Sequence, residues 1–366
     1  MTQIHVALLS TAEGSRLGSM GIYADLVERA LAQYAPQVAM LPVRLTTPPA
    51  AGQRGVLRTQ YDRLREIAAA RRRAGASRAS VFHVLDSSFG FLVAGIPWER
   101  TLVTVHDLIP ALQVQGRFPV PRPGWAARRL IGASLGVIRR AGAVCTDSQS
   151  SARDVSALTG RTVDAVIPLC LRKFPTPNAV PRRDGRSGSP ILMHVGNNGF
   201  YKNRLGVVRV FARMAGAHPA LRLVLAGATP DELVQREING FGLTQRVSFE
   251  VDPDDARLAT LYQQASLLLF PSLYEGFGWP PLEAMRFGCP VVCSDAGSLP
   301  EVTGDAALRC APNDIAGLAA AALRVLEDPC LAADLVTRGH RNLVRFDTRQ
   351  MAMALVALYE RLATGQ

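Results

Sequence analysis

The sequence has very little lysine: of 41 basic residues only Lys173 and Lys202 are lysines, and the rest are arginines. It also lacks any apolar run of the roughly 18 to 20 residues that cross a bilayer. Its first residues lack the basic segment that precedes the apolar stretch of a secretory signal, so we expect a cytoplasmic protein. None of its six cysteines forms a C-x-x-C pair, and several lie in apolar runs. This favours reduced, buried thiols over a disulfide or a zinc site.

Basic residues outnumber acidic ones by 41 to 30, and the formal net charge is +11 at pH 7. Such a surplus is compatible with three classes of partner: a nucleic acid, an anionic membrane surface or a phosphorylated substrate. The chain shows neither a recognition-helix pattern nor an aromatic and basic sheet pattern, so we expect no nucleic-acid partner.

The length of 366 residues exceeds what one hydrophobic core usually serves, which predicts two domains. Strand and helix patterns alternate along the chain, which is typical of α/β domains with a parallel sheet. The segment 173–189 is rich in proline and arginine and has little periodic apolar content, so it reads as a linker. We therefore predict a first domain over 1–172 and a second over 190–346.

The most informative stretch is Pro271–Pro290, which reads P-S-L-Y-E-G-F-G-W-P-P-L-E-A-M-R-F-G-C-P. It predicts a strand end, a glycine loop and a helix whose first turn holds two prolines and which ends at Gly288. Glu275 then lies in the loop and Glu283 in the first helical turn. A helix N-terminus attracts phosphate, yet acidic residues also favour first turns for ordinary charge reasons. The pair of glutamates beside glycines favours a ligand site.

The chain begins with a similar pattern of strand, turn and helix. A buried strand at His5–Leu9 is followed by a glycine-bearing turn and a helix over Ile22–Tyr34, with ligand space above the carboxyl end of the strand. Gly18, Ser19 and Gly21 form the candidate loop for a phosphate or an acceptor. A plain tight turn is the alternative.

The second domain opens with a strand over Ile191–Val195, the run G-N-N-G-F-Y-K-N and a helix from about Asn203. Lys202 therefore lies at a helix N-terminus beside glycines, an arrangement that holds phosphate. A strand ending at Ala226 leads to a turn that would lie under a nucleotide. The candidate ligand-binding residues of this region are Gly196, Asn197, Lys202, Asn203, Arg204 and Gly227.

No acidic residue occurs from Leu108 to Thr146, while arginines accumulate there beside Trp125, Leu130 and Ile131. Two interpretations stay open for this segment. It is either a basic amphipathic surface that lies on anionic lipid, or a solvated helix that packs its apolar face inward.

Glu275 and Glu283, with seven residues between them inside Y-E-G-F-G-x-P-P-L-E-A-M, resemble the signature of the retaining glycosyltransferases of family 4. The resemblance implies the GT-B fold, an α/β architecture of two Rossmann-like, doubly wound parallel-sheet domains that face a cleft. It also implies that the terminal helix, 347–366, returns to the first domain. The patterns H-D-L-x-P and L-Y-E-G-F-G-x-P-P are most similar to bacterial mannosyl- and rhamnosyltransferases.

The same resemblance implies roles for individual residues. His106, in T-V-H-D-L, would contact the transferred sugar, Glu275 would bind the sugar hydroxyls, and Glu283 would bind the ribose. Lys202 would hold the diphosphate, but Asn197 and Tyr201 stand where further basic residues are common in the family. Arg204 is the candidate replacement. The loop and helix residues that complete the expected donor site are Gly276, Phe277, Gly278 and Leu282.

The expected reaction is transfer of a hexosyl group, with retention, from a nucleotide sugar to a glycan or lipid-linked acceptor in bacterial envelope or exopolysaccharide synthesis. GDP-mannose is the favoured donor and a UDP-sugar the next. No D-x-D lies in a plausible metal loop, so we expect no obligatory metal or other cofactor. The resemblance favours peripheral contact of the arginine-rich segment with the inner face of the plasma membrane. The alternative is a catalytically weak nucleotide-binding or partner subunit with the same fold.

Overall fold

The computed structural model describes residues 3–10, 19–45, 79–93, 95–175 and 189–365, with four single positions between 68 and 76. The chain divides into two compact units: the first is Met1–Cys170 with Thr348–Gln366, and the second is Leu171–Asp347. The terminal helix thus belongs to the first unit. Gly18 and residues 176–188 of the predicted linker lie outside the described residues.

Each unit is built on a six-stranded sheet in which the neighbouring strands are parallel. The strands of the first sheet, in the order β2-β1-β3-β4-β5-β6, are β1 Ile4–Ser10, β2 Val38–Arg44, β3 Val81–Val84, β4 Thr101–Val105, β5 Ala143–Thr146 and β6 Ala165–Val166. Those of the second sheet, in the order β12-β11-β10-β7-β8-β9, are β7 Ile191–Gly196, β8 Arg222–Gly227, β9 Val247–Val251, β10 Leu267–Phe270, β11 Val291–Ser294 and β12 Leu308–Cys310. Several central strands are buried along their whole length, as in parallel sheets covered on both faces.

Helices connect the strands. In chain order the described ones are α1 Ser19–Tyr34, α2 Ile109–Val114, α3 Trp125–Arg140, α4 Gln149–Thr159, α5 Arg204–Ala215, α6 Glu232–Gly240, α7 Asp255–Gln264, α8 Trp279–Arg286, α9 Leu299–Thr303, α10 Ile315–Glu327, α11 Pro329–Leu343 and α12 Thr348–Thr364. None of the helices in the described part of the chain has the length and apolar character that crossing a membrane requires.

The strand order defines where ligands are expected. In the second sheet the chain runs from β7 outward through β8 and β9, then returns to the other side of β7 for β10, β11 and β12. The loops that leave β7 and β10 therefore diverge, and the crevice between them is the usual ligand position in a doubly wound sheet. The first sheet has the corresponding point between β1 and β3.

Two predicted helix starts need correction. Helix α8 begins at Trp279, because Gly278 adopts a left-handed conformation (φ 97°) at the N-cap and lets the chain turn earlier than predicted. Glu283 is therefore the fifth helical residue and lies in the second turn instead of the first. Helix α1 begins at Ser19, so Ser19 and Gly21 lie in its first turn and not in the preceding loop.

The predictions for the start of α5 and for the cysteines can also be compared with the structure. The helix predicted to begin at about Asn203 begins at Arg204, and Asn203 caps it, its side chain accepting the Gly206 N–H. Four cysteines are buried as expected, whereas Cys310 is partly exposed and Cys330 is exposed. Cys330 lies in the first turn of α11 on its solvent side, and the apolar residues around it do not make that position part of the core.

The core of the second unit lies between the sheet and helices α5 and α10. Phe211 and Val208 of α5 and Leu318 of α10 are completely buried against Leu192 and Leu267 of the central strands. This packing holds the start of α5 rigidly at the carboxyl end of β7. The residue that precedes α5 is therefore well placed for a precise contact.

Candidate functional site

An ion pair joins the two loops at the crevice of the second sheet. The Lys202 ammonium lies 2.8 Å from Oε1 and 3.0 Å from Oε2 of Glu275. Only 14% of the Lys202 side chain and 8% of the Glu275 side chain are exposed. The ammonium also lies 5.2 Å from the ring centre of Phe270 and 5.4 Å from that of Tyr201. The charge is therefore held by a carboxylate and by aromatic faces in a largely desolvated position.

Asn203 ties the Lys202 loop to the Glu275 loop. Its backbone is left-handed (φ 53°), a conformation that asparagine tolerates better than most residues. Its amide nitrogen donates to the carbonyl oxygens of Pro271 (2.9 Å) and Pro312 (3.1 Å). Pro271 begins the segment that carries Glu275, so one side-chain amide fixes the register of both loops.

The Glu275 backbone is held from the other side by the turn that follows β11. A Cβ added to Gly297 (φ 59°) would lie 2.4 Å from the Glu275 carbonyl oxygen, so only glycine fits there. The Ser298 N–H donates to the same oxygen (3.1 Å), and its hydroxyl donates to the Phe277 carbonyl (2.7 Å). Sequence reasoning did not assign Gly297 or Ser298 to the site. Their signal is the glycine of the run S-D-A-G-S-L-P.

Two glycines bring the ends of β7 and β8 into backbone contact. A Cβ on Gly227 (φ 130°) would lie 2.2 Å from the carbonyl oxygen of Gly196. A Cβ on Gly196 would lie 3.0 Å from Nε2 of His194 and 3.3 Å from Cγ of Lys202. Both strands therefore end in residues without a side chain beside Lys202, which lets a ligand approach the backbone closely. The Asn197 side chain accepts the Gly199 N–H (2.9 Å) and shapes the loop.

Arg204 is a buried cation next to this loop, with 4% of its surface exposed. One guanidinium nitrogen donates to the carbonyl oxygen of Ala228 (2.9 Å) and to the side chain of Asn198. Its Nε and other terminal nitrogen are buried and have no hydrogen-bond partner among the described residues. Burial lowers the pKa of Arg204. Unused donors on a buried cation are costly, and an anion that reached them would lower that cost.

Glu283 lies in the same unit and is 4% exposed. The Tyr262 hydroxyl donates to its Oε2 (2.8 Å), and Nη1 of Arg172 lies 3.4 Å from its Oε1. Burial raises the pKa of Glu283, and the charge of Arg172 opposes that rise. The neighbouring Leu282, also predicted in the site, has a completely buried side chain and can reach a ligand only through its backbone.

The start of α8 offers fewer hydrogen-bond donors than predicted. Pro280 and Pro281 occupy two of its first three positions and have no N–H. A diphosphate would therefore depend more on Lys202 and on the N–H groups of the glycine loops than on this helix end.

His106 belongs to the first unit, at the carboxyl end of β4. Its Nδ1 lies 2.9 Å from Oδ2 of Asp147 and its Nε2 lies 2.9 Å from the Leu85 carbonyl oxygen. Burial alone would lower the pKa of His106, but the hydrogen bond and charge of Asp147 raise it. Burial raises the pKa of Asp147 to about 6. Nδ1 shares a proton with the Asp147 carboxyl group and Nε2 faces the Leu85 carbonyl oxygen, so a sugar hydroxyl would have to replace Leu85 as the partner of Nε2.

Residues 180–342 match the model of the family described as glycosyl transferases group 1. Over 292 residues the chain is 26% identical to a glycogen synthase of Mycobacterium tuberculosis. The alignment covers 74% of this chain and 70% of that protein. Over 108 residues it is 41% identical to O-antigen chain mannosyltransferase B of Escherichia coli, covering 30% of this chain and 28% of that one. These matches support the assignment of this chain to the glycosyltransferases. The segment that matches the group 1 model includes Lys202, Glu275 and Glu283.

The structure is similar to that of sucrose-phosphate synthase from Thermosynechococcus elongatus, with a TM-score of 0.77 and 20% identity over 99% of this chain and 100% of that one. At this identity the likeness shows the fold alone. With the two parallel sheets described above, it confirms the predicted GT-B architecture of Rossmann-like units.

Proposed function

We propose that the protein is a retaining glycosyltransferase of family 4 that transfers a hexosyl group from a nucleotide sugar to a glycan or lipid-linked acceptor. The observation that carries the proposal is the buried Lys202–Glu275 ion pair at the crevice of the second sheet. The lysine supplies fixed positive charge where a departing diphosphate needs it, and the carboxylate supplies acceptors for sugar hydroxyls.

In the proposed reaction the acceptor oxygen forms a bond to the anomeric carbon while the bond from that carbon to the diphosphate breaks. The acceptor proton moves to a phosphate oxygen on the same face of the sugar, so the configuration is retained. Lys202 and the unused donors of Arg204 stabilise the diphosphate charge, and Glu283 binds the ribose. No metal is required in this scheme. His106 stays a prediction as a contact of the transferred sugar.

GDP-mannose is the proposed donor, supported by the similarity to a mannosyltransferase whose name refers to O-antigen chains. A UDP-sugar is the second choice. The proposed setting is bacterial envelope or exopolysaccharide synthesis.

The test is a thermal-shift panel of GDP-, UDP-, ADP- and dTDP-sugars, followed by release of nucleoside diphosphate with glycan acceptors. We expect a single nucleotide series to raise the melting temperature, by an amount that grows with its concentration. EDTA should leave turnover unchanged, and nuclear magnetic resonance of the product should show the donor configuration. Binding without any turnover would favour the partner-subunit alternative. Loss of turnover in EDTA, restored by magnesium or manganese, would contradict the metal-free scheme.

We also propose that the first turns of α3 contact an anionic membrane. Trp125 is 74% exposed and Leu130 is 42% exposed, whereas Val137 and Ile138 of the second half are buried. This contrast supports the membrane interpretation for the first half of α3 and inward packing for the second half. The first half places Arg128 and Arg129 beside outward apolar side chains, the composition of an interfacial anchor.

The membrane proposal is tested by sedimentation with phosphatidylglycerol vesicles. Trp125→Ala and the pair Arg128→Glu and Arg129→Glu should each weaken binding, the charge reversal by at least about tenfold. Phe241→Ala, which removes a half-exposed aromatic residue from the second unit, is the matched control. Equal binding of wild type to vesicles of neutral lipid, or none to anionic ones, would contradict it.

A further inference from the structure

A buried arginine contacts the carboxylate that the proposed function assigns to ribose. Arg172 is the second residue of the second unit, and its side chain is 8% exposed. It contacts two acidic residues, Asp255 at the start of α7 and Glu283 in α8. Sequence reasoning placed it at the end of the first domain beside a linker and gave it no role.

Aromatic packing holds this guanidinium in place. Its central carbon lies 4.6 Å from the ring centre of Phe174. That ring packs edge-on against Tyr262 (6.5 Å between centres) and Phe287 (5.2 Å), which stack on each other at 5.9 Å. The Arg172 carbonyl also accepts a hydrogen bond from Arg286 (3.0 Å). An arginine fixed in this way has little rotamer freedom left to lose when a ligand binds.

Glu283 is therefore oriented by two partners from outside its helix. Tyr262 donates to one oxygen and Arg172 lies at the other. A carboxylate has about four lone-pair positions, so each oxygen keeps one acceptor position that a ribose hydroxyl can use. The two neighbouring hydroxyls of a ribose can each donate to one of the two Glu283 oxygens, provided that the carboxylate is held in a fixed orientation.

The charge of Glu283 depends on the same contacts. Burial favours its protonated form, Arg172 and the Tyr262 hydrogen bond favour the ionised form, and the charge of Asp255 opposes ionisation. These are the charged and titratable groups that act on it from α7 and from the segment that carries Arg172. Without Arg172 the pKa of Glu283 would rise further, and the ionised acceptor would be lost as the pH falls through the raised pKa.

We propose that Arg172 is a positioning residue that holds Glu283 in the orientation and charge state required for ribose binding. This inference rests on the proposed function and assigns Arg172 to the same site. It is distinct from the diphosphate contacts, which belong to the crevice between β7 and β10.

The test is calorimetric titration of GDP and of UDP into wild type and variants at about pH 8.5 and about pH 6. For Arg172→Gln we expect the affinity to fall by a larger factor between the higher and the lower pH than it does in wild type, because the pKa of Glu283 rises further without the arginine. Arg172→Lys should restore most of the wild-type profile. Tyr262→Phe, a smaller change, should move the profile in the same direction as Arg172→Gln.

Glu283→Gln separates a charge effect from a packing effect, because an amide does not titrate. In the double variant Arg172→Gln, Glu283→Gln the additional pH dependence should disappear. Arg257→Gln, which removes an arginine of α7 paired with Glu250, is the control that keeps the wild-type profile.

Two failures are distinguishable. If wild type binds neither GDP nor UDP, the proposed function fails. If wild type binds but Arg172→Gln weakens binding equally at both pH values, or leaves it unchanged, Arg172 has no such role and the inference is overturned.

Discussion

Replacing Glu275 with alanine is expected to lower turnover at saturating donor by about 100- to 1,000-fold, while nucleoside diphosphate affinity changes much less. The carboxylate is expected to bind the hydroxyls of the donor sugar and contacts Lys202 at 2.8 Å, so its loss removes a sugar contact and the lysine's partner. The measurement is steady-state kinetics with the donor that the thermal-shift panel identifies, beside calorimetry with the nucleoside diphosphate alone.

Glu232→Ala is the control for this experiment. Its side chain is 93% exposed at the start of α6 in the same unit. We expect its kinetics to match wild type. An unchanged turnover of Glu275→Ala would remove the central assignment of the site.

Replacing Lys202 with alanine is expected to weaken nucleoside diphosphate binding by about 100-fold and to lower turnover as well. The Lys202 ammonium lies at the crevice of the second sheet. Without it, a bound diphosphate would meet less positive charge. Lys173→Ala is a close control, since Lys173 is the other lysine of the chain and is exposed. An unchanged affinity in Lys202→Ala would contradict the diphosphate assignment.

The same pair gives a readout that needs no substrate. Removing one partner of a buried ion pair takes the compensating charge from the other, which costs about 3 kcal/mol where burial is complete. We therefore expect Lys202→Ala and Glu275→Ala each to lower the free energy of unfolding in urea, and the double variant to lose less than the sum. Additive losses would mean that the two charges do not interact.

Chemical labelling provides an independent check on Lys202. The chain has two lysines, so acetylation followed by mass spectrometry reports on each of them separately. A nucleoside diphosphate should slow labelling of Lys202 and leave Lys173 unchanged.

Much of the site was predictable from local patterns. The sequence predicted Lys202 at the N-terminus of a helix and Glu275 in a glycine loop; in the structure Lys202 directly precedes the N-cap residue Asn203, and Glu275 lies in the loop after β10. The helix start at Trp279 was not predicted, because the left-handed turn at Gly278 shifts it toward the N-terminus. Such a shift depends on backbone angles that composition does not specify.

Other features had no local signal. Arg172 lies 111 positions before Glu283 (283 − 172), in a segment that reads as the edge of a linker. His106, whose contact with the transferred sugar stays a prediction, has its two ring nitrogens at Asp147 and Leu85. Each of these contacts links segments far apart in the chain.

Local patterns in the chain are enough to predict the parallel α/β architecture, the glycine loops and the acidic and basic residues of the site, because periodicity and turn chemistry act between neighbours. Which charges meet depends on how the whole chain folds. Lys202 and Glu275 are 73 residues apart and pair because β10 returns to lie beside β7. Glu283 meets Arg172 because α8 packs where an aromatic cluster holds that arginine. Strand order and helix packing are properties of the whole core, and no short stretch of the chain encodes them.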